Sequence, residues 1–201
     1  MNDSLLYRPP SFFERLSLAA LFPLDQPLEV ELGCGDSTLI VELARRHPDR
    51  NFLGVERLLG RIRKLDRKGR RLGLANLRGL RIEAAYCLEY LLPPACVSAL
   101  HVYFPDPWPK RKHWRHRLVN QRFPALAAAV LVPGGRVHLR TDDPPYFAQM
   151  REVFAQDPRF TAEDPPPALA ELLTDFEREF LAQGKPTHRV SYRLCGGAAA
   201  P

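Results

Sequence analysis

The stretch LEVELGCGDSTLIVELARRH, residues 28–47, decides the fold. Its first five residues suit a strand, Gly33 and Gly35 mark a turn, and the remainder places apolar residues at helical spacing. Strand, glycine turn and helix in that order begin a βαβ unit. The pattern then recurs along the chain. NFLGVE (51–56), LRGLRI (77–82), SALHVYF (98–104) and RVHLRT (136–141) read as further strands, short and apolar as strands covered on both faces are. Helical periodicity runs through 58–72, YCLEYLL (86–92) and HRLVNQRFPALAAAVL (116–131), the last expected to bend or split at Pro124, with VPGG (132–135) a turn. Beyond Thr141 come a helix (PYFAQMREVFAQ, 145–156), a strand (RFTAE, 159–163), a loop (EDPPPALAE, 163–171), an acidic helix (TDFEREFLAQG, 174–184) and a strand (THRVSYRLC, 187–195).

Regular alternation of this kind predicts an α/β domain, a mostly parallel sheet with helices on both faces. At 201 residues the chain suits one domain, 1–201, with no linker or repeat to divide it. SFFE at 11–14 has the spacing of a capping box and predicts a helix ending near Pro23, so residues 1–24 read as a helical extension. Residues 196–201 read as a frayed tail.

A net charge of +6 fits a protein that meets polyanions, and its location matters more than its sum. Residues 57–81 hold ten Lys or Arg against Asp66, and residues 110–122 hold six with no acid. The cysteines Cys34, Cys87, Cys96 and Cys195 form no CxxC pair, so no zinc site or disulfide framework is indicated. MNDSLLYRPP has no basic segment followed by an apolar core, and the apolar run at 125–132 is too short for a bilayer, which predicts a cytoplasmic protein without a membrane anchor.

In an open parallel sheet, ligands bind beyond the carboxyl ends of the strands where strand order reverses. ELGCGDST occupies such a position, although Gly33-x-Gly35 alone fits a tight structural turn equally well. The neighbouring acids narrow the choice. Thr38 stands where a dinucleotide fingerprint has its third glycine, and Glu31 sets a carboxylate in the pocket that would repel a diphosphate. A cationic ligand such as S-adenosylmethionine suits it. Glu56, ending the second strand, is placed to accept hydrogen bonds from ribose hydroxyls, and Glu83 from the adenine amino group.

FPDPWPKRKHWRHR, residues 104–117, holds a lone carboxylate, Asp106, in an alternation of prolines. Pro105, Pro107 and Pro109 fix their own angles and are expected to push their predecessors into extended conformations. Trp108 offers a face for stacking a base. Methyl transfer to a ring nitrogen fits: the lone pair is free, the ring gains positive charge, and Asp106 can hold the base's pairing edge while stabilising that charge. Lys110, Arg111, Lys112, Arg115 and Arg117 then read as the grip on phosphates, with His113 and His116 as polar contacts. The helix at 58–72 reads either as an extension of that patch or as a solvated charged face.

These residues resemble the bacterial tRNA (guanine-N(7))-methyltransferases. VELGCG and GVER are similar to that family's cofactor motifs, NLRGLRIEA to its third-strand segment, PDPWPKRKHWRHRLV to its signature, and GGRVHLRTD and TDFE to two later motifs. The resemblance implies a class I, Rossmann-like fold and methyl transfer from S-adenosylmethionine, without a metal, to the 7-nitrogen of a variable-loop guanine (position 46) in tRNA. It implies donor or catalytic contacts from Glu31, Gly33, Gly35, Glu56, Glu83 and Asp106, with Asp106 catalytic. It further implies substrate contacts from Lys110, Asp142 and the segment Thr174, Asp175, Phe176, Glu177. No obligatory protein partner is implied. Glu83 stands where the family usually has Asp, and Asp143 where Trp commonly follows the later aspartate. The alternatives are a methyltransferase acting on DNA or an exocyclic amine, and a non-catalytic RNA-binding protein.

Overall fold

A computed structural model describes residues 4–196 and shows one sheet of eight strands. In chain order these are β1 (Leu6–Tyr7), β2 (Leu28–Leu32), β3 (Asn51–Val55), β4 (Leu77–Leu80), β5 (Val97–Tyr103), β6 (Leu131–Thr141), β7 (Phe160–Glu163) and β8 (His188–Leu194). Their spatial order is β1-β4-β3-β2-β5-β6-β8-β7. The pairs from β1 to β6 are parallel, whereas β8 runs antiparallel to β6 and β7 antiparallel to β8. Strand order reverses between β2 and β5, so the glycine turn after β2 opens beside the switch point where crevices form.

Two apolar clusters flank the sheet. One gathers Val30, Leu100, Val102, Val137 and Leu139 with residues from α5 (Phe123–Val130) and α6 (Pro144–Ala155). The other joins Phe52 and Leu77 to Leu39, Ile40 and Leu43 of α2 (Thr38–Arg46) and Ile62 and Leu65 of α3 (Leu59–Arg71). Each fully buried Leu, Ile, Val or Phe contributes about 1.5–3 kcal/mol. The expected helix at 58–72 is α3. Its Gly69 lets the chain before β1 pass close by, since a Cβ there would stand 2.5 Å from Leu5 Cδ1.

Three local expectations are corrected. SFFE opens no helix: Tyr86 donates to the Phe12 carbonyl, Leu16 N to Leu91 O, and Arg15 to the carbonyls of Glu89 and Leu92, so the segment is spent on tertiary bonds. Within 4–24 the structure instead has β1 and a one-turn helix, α1 (Leu18–Leu21). Pro124 does not bend a long helix. It lies in the first turn of α5, where a missing N–H costs nothing, and the preceding helical turn, Arg111–His116, is 3-10. VPGG is not a turn ahead of the strand but a bulge within β6, whose partners in β5 jump from Val97–Leu131 to Ala99–Arg136 while Gly134 takes φ +77°. YCLEYLL forms a short α4 (Ala84–Tyr86) running into a π turn, Cys87–Leu91, and the loop 163–171 includes α7 (Pro167–Ala170). α8 (Asp175–Ala182) precedes β8. Of the frayed-tail expectation, residues 197–201 lie outside the described part. Among the described residues no helix is long and apolar enough to cross a membrane.

Candidate active site

Gly33 and Gly35 adopt φ +82° and +50°, left-handed values that a side chain would strain, and no atom lies within 4 Å of where their Cβ atoms would stand. The turn is thus held by backbone geometry and faces open space. Glu56, at the end of β3, braces it by accepting from Gly35 N at 3.2 Å and Leu58 N at 2.8 Å. Two lysines of α3 point the same way. Lys64 pairs with Asp36 at 2.8 Å and Lys68 donates to the Asp36 carbonyl and to Thr38 Oγ1, so part of α3's charge secures this loop; Arg61, Arg63, Arg67, Arg70 and Arg71 remain exposed.

Two cavities meet at Gly33, Tyr103 and Phe104. The larger, about 330 Å³, is lined by Glu56, Glu83, Asp106, Trp108 and His116 and reaches the exposed Arg57 and Arg61. The smaller, about 90 Å³, is lined by Glu31, Gly35, Ser37, Thr38, Asp175 and Phe176. Four acids read from the sequence, Glu31, Glu56, Glu83 and Asp106, therefore line two adjoining cavities, Glu31 the smaller and the other three the larger. Asp142 lines neither cavity.

Glu31 is buried and its Oε2 has no hydrogen-bond partner. Burial pushes its carboxyl up to about 8, against the opposing pull of Arg140. A buried carboxyl oxygen without a partner beside a cavity is an address for a hydrogen-bonding cation. Glu83 lines the larger cavity and caps α4, accepting from Ala85 N at 3.0 Å and Tyr86 N at 2.8 Å, one bond on each oxygen, so each keeps a second lone pair. Glu31 also begins a polar row across the sheet that the sequence reading missed: it is in register with His101, His101 with His138, and His138 with Ser191. His101 bridges Tyr103 OH at 2.7 Å and Glu29 at 2.9 Å. Burial opposes ionisation of Glu29, but hydrogen bonds from His101 and Arg50 bring it down to about 2.

Asp106 is exposed to the larger cavity, and its frame differs from expectation. Phe104 and Trp108, each followed by proline, take φ +50° and +45° instead of extended values. Bulky residues there are strained, and tertiary contacts hold them: Phe104 packs on Phe176 and Phe180 with ring centroids 6.1 and 5.5 Å away, and Trp108 on His116 and His113 at 5.1 and 5.9 Å. Trp108 and His116 thereby form an aromatic wall beside the aspartate.

Lys110, Arg111, Lys112 and Arg115 are exposed next to that wall, available to phosphates. Arg117 is not. Its side chain is 1% exposed, stacked between Trp114 and Tyr146 and bonded to Pro107 O and Gln149, which corrects its reading as a phosphate contact. Glu177 is likewise corrected. It is fully buried, paired with Arg140 at 2.7 Å and Arg189 at 2.9 Å, and it closes a capping box with Thr174, whose hydroxyl is taken up by Glu177 N. Glu177 is therefore not free for substrate, whereas Thr174 lines the smaller cavity and keeps its hydroxyl proton to donate. Asp175 and Phe176 do line the smaller cavity, Asp175 accepting from Thr38 Oγ1. Arg140, which also bonds the Leu169 and Leu172 carbonyls, pins this segment over the sheet.

Sheet order, the glycine turn and the acids around one cleft define a class I methyltransferase. Solved structures share the fold: the 16S rRNA methyltransferase KamB superposes with a TM-score of 0.62 at 18% identity, covering 89% of this chain and 92% of that one. A SAM-dependent O-methyltransferase from Thermotoga maritima gives 0.59 at 13%, covering 91% and 65%. Residues 25–190 match the family described as "Putative methyltransferase". The tRNA (guanine-N(7)-)-methyltransferase of Halorhodospira halophila is 34% identical over 186 residues, 89% of this chain and 80% of that protein. The one of Nitrosospira multiformis is 33% identical over 198 residues, 96% and 85%. The chain belongs to the tRNA (guanine-N(7)-)-methyltransferase family.

Proposed function

We propose that the protein methylates the 7-nitrogen of a variable-loop guanine, position 46, in tRNA, acting in the cytoplasm with S-adenosylmethionine and with neither a metal nor an obligatory protein partner. The observation that carries this reading is the pair of adjoining cavities: a buried carboxyl at Glu31, whose Oε2 has no partner, lines one and the exposed carboxylate of Asp106 lines the other. The residues fit the donor. Glu31 would receive its ammonium, Glu56 its ribose hydroxyls and Glu83 its adenine amino group, with the open turn at Gly33 and Gly35 leaving room for it. S-adenosylmethionine supplies a methyl group on a positively charged sulfur.

The chain's own contribution is placement and charge. A guanine 7-nitrogen carries a free lone pair, so no side chain has to remove a proton before attack. Asp106 accepts hydrogen bonds from the base's pairing edge, fixing its orientation, and its negative charge stabilises the cationic ring that forms. Trp108 and His116 supply a surface on which an unstacked base can rest. Lys110, Lys112 and Arg115 hold the flanking phosphates without reading sequence.

The test uses unmodified tRNA transcripts and labelled S-adenosylmethionine, followed by borohydride reduction and aniline cleavage. Scission at the variable-loop guanine, lost when that guanine is replaced by adenine, is expected. Label in tRNA without scission would place the methyl group on another atom, an exocyclic amine among them, and label in DNA alone would remove the proposal.

A further inference from the structure

Among the described residues, the stretch 105–109 takes part in one hydrogen bond, and Arg117 supplies it, from Nε to the Pro107 carbonyl at 2.7 Å. Three of those five residues are prolines and have no N–H to donate. The loop bearing Asp106 is also flanked by the left-handed Phe104 and Trp108, so its conformation needs restraint from outside. Arg117 is built to provide it. Its guanidinium lies 4.4 Å from the Trp114 ring and 4.5 Å from the Tyr146 ring, donates from Nη1 to Gln149 Oε1 at 2.6 Å, and stands 3.9 Å from Asp143.

Those partners are themselves fixed. Asp143 caps α6 by accepting from Tyr146 N, Tyr146 OH accepts from Val119 N, and Gln149 Nε2 donates to Val119 O. The planar guanidinium thus joins the Pro107 carbonyl to α6 through groups that cannot drift.

We infer that Arg117 is a positioning residue, holding the carbonyl next to Asp106 so that the carboxylate stays where the acceptor base must dock. This rests on the reading of Asp106 as the group that holds that base. A salt-exposed phosphate contact would need a guanidinium in solvent, and this one is buried.

Arg117→Lys and Arg117→Met test it, with kcat and KM for tRNA, equilibrium binding of S-adenosylmethionine, and acrylamide quenching of tryptophan fluorescence. The chain's two tryptophans, Trp108 and Trp114, both lie in this segment, so quenching reports on it directly. Expected for Arg117→Met is a kcat about 100-fold lower, since small misplacements of a binding group cost about that much. KM for tRNA and donor affinity should change less than about threefold, and quenching should rise. Arg117→Lys, which keeps one donor but not the planar fork, should lose about tenfold in kcat. If Arg117→Met does not fold, Arg117→Lys and Gln149→Leu decide by the same split. A raised KM with kcat preserved would overturn the inference in favour of a phosphate contact, and unchanged kcat and quenching would overturn it outright. Should the wild type methylate no tRNA, the functional reading fails, whereas the quenching comparison still decides whether Arg117 holds the loop.

Discussion

Lowering the pH from 7 to 5.5 should weaken S-adenosylmethionine binding roughly 25-fold, about 2 kcal/mol, through Glu31. Burial lifts this carboxyl to about 8 from an ordinary value of 4.5, with Arg140 pulling it down and Glu56 pushing it further up. Below pH 8 the ligand-free protein therefore holds Glu31 mostly protonated, and a cationic ligand must expel that proton. If the bound carboxyl returns to its ordinary range, affinity climbs about tenfold per pH unit until the free group ionises, and about 0.9 proton leaves per donor bound at pH 7. Between pH 5.5 and 7 an α-amino group of ordinary pKa, about 7.7–8.0, stays mostly charged, so the slope is read in that interval. Calorimetric titrations in buffers of different ionisation enthalpy measure both affinity and proton release. Glu31→Gln should bind with the affinity of the acidified wild type at every pH. A flat wild-type profile, or the same slope in the variant, would refute the reasoning.

The same shift fixes a stability prediction: a folded value above the unfolded one means the folded state holds the extra proton, so ligand-free stability falls as pH rises from 5 through 8. Melting curves should show Glu31→Gln without that decline. Asp106→Ala should abolish methylation while leaving tRNA affinity within a few fold; an equal loss of binding in a filter assay would count against its assigned role. Neutralising Arg111, Lys112 and Arg115 together should weaken tRNA binding and flatten the log–log salt dependence by about 2 to 3. An unchanged slope removes the segment from the RNA surface. Glu177→Ala should destabilise the fold by about 3–5 kcal/mol in urea, because it strands Arg140 in the interior.

The central strands and the crossing point were legible because each of β2 to β5 is a short, mostly apolar run and a glycine turn follows the first. α3 was legible to within a residue at each end, since Ile62 and Leu65 mark its inner face and Arg residues its outer one. SFFE misled because a capping pattern is a local preference, and the bonds that Phe12, Arg15 and Leu16 make lie over seventy residues away in sequence. Pro124 misled for a positional reason: the same residue breaks a helix in its interior and starts one in its first turn. The acids of the cleft could be found from their places at strand ends, whereas Glu177 and Arg117 could not be separated from contact residues. A run of like charges does not say which member turns inward, and Arg117 does so because two rings flank it. Phe104 and Trp108 defeat the rule for residues before proline because their rings pack on neighbouring aromatic side chains, Phe104 on Phe176 and Phe180 and Trp108 on His113 and His116.

A crystal structure with S-adenosylmethionine tests the central claim most directly. The account places the donor across the ends of β2, β3 and β4, its ammonium at Glu31, its ribose at Glu56 and its methyl group turned toward Asp106. A donor bound elsewhere, or one whose methyl group faces away from Asp106, would contradict it.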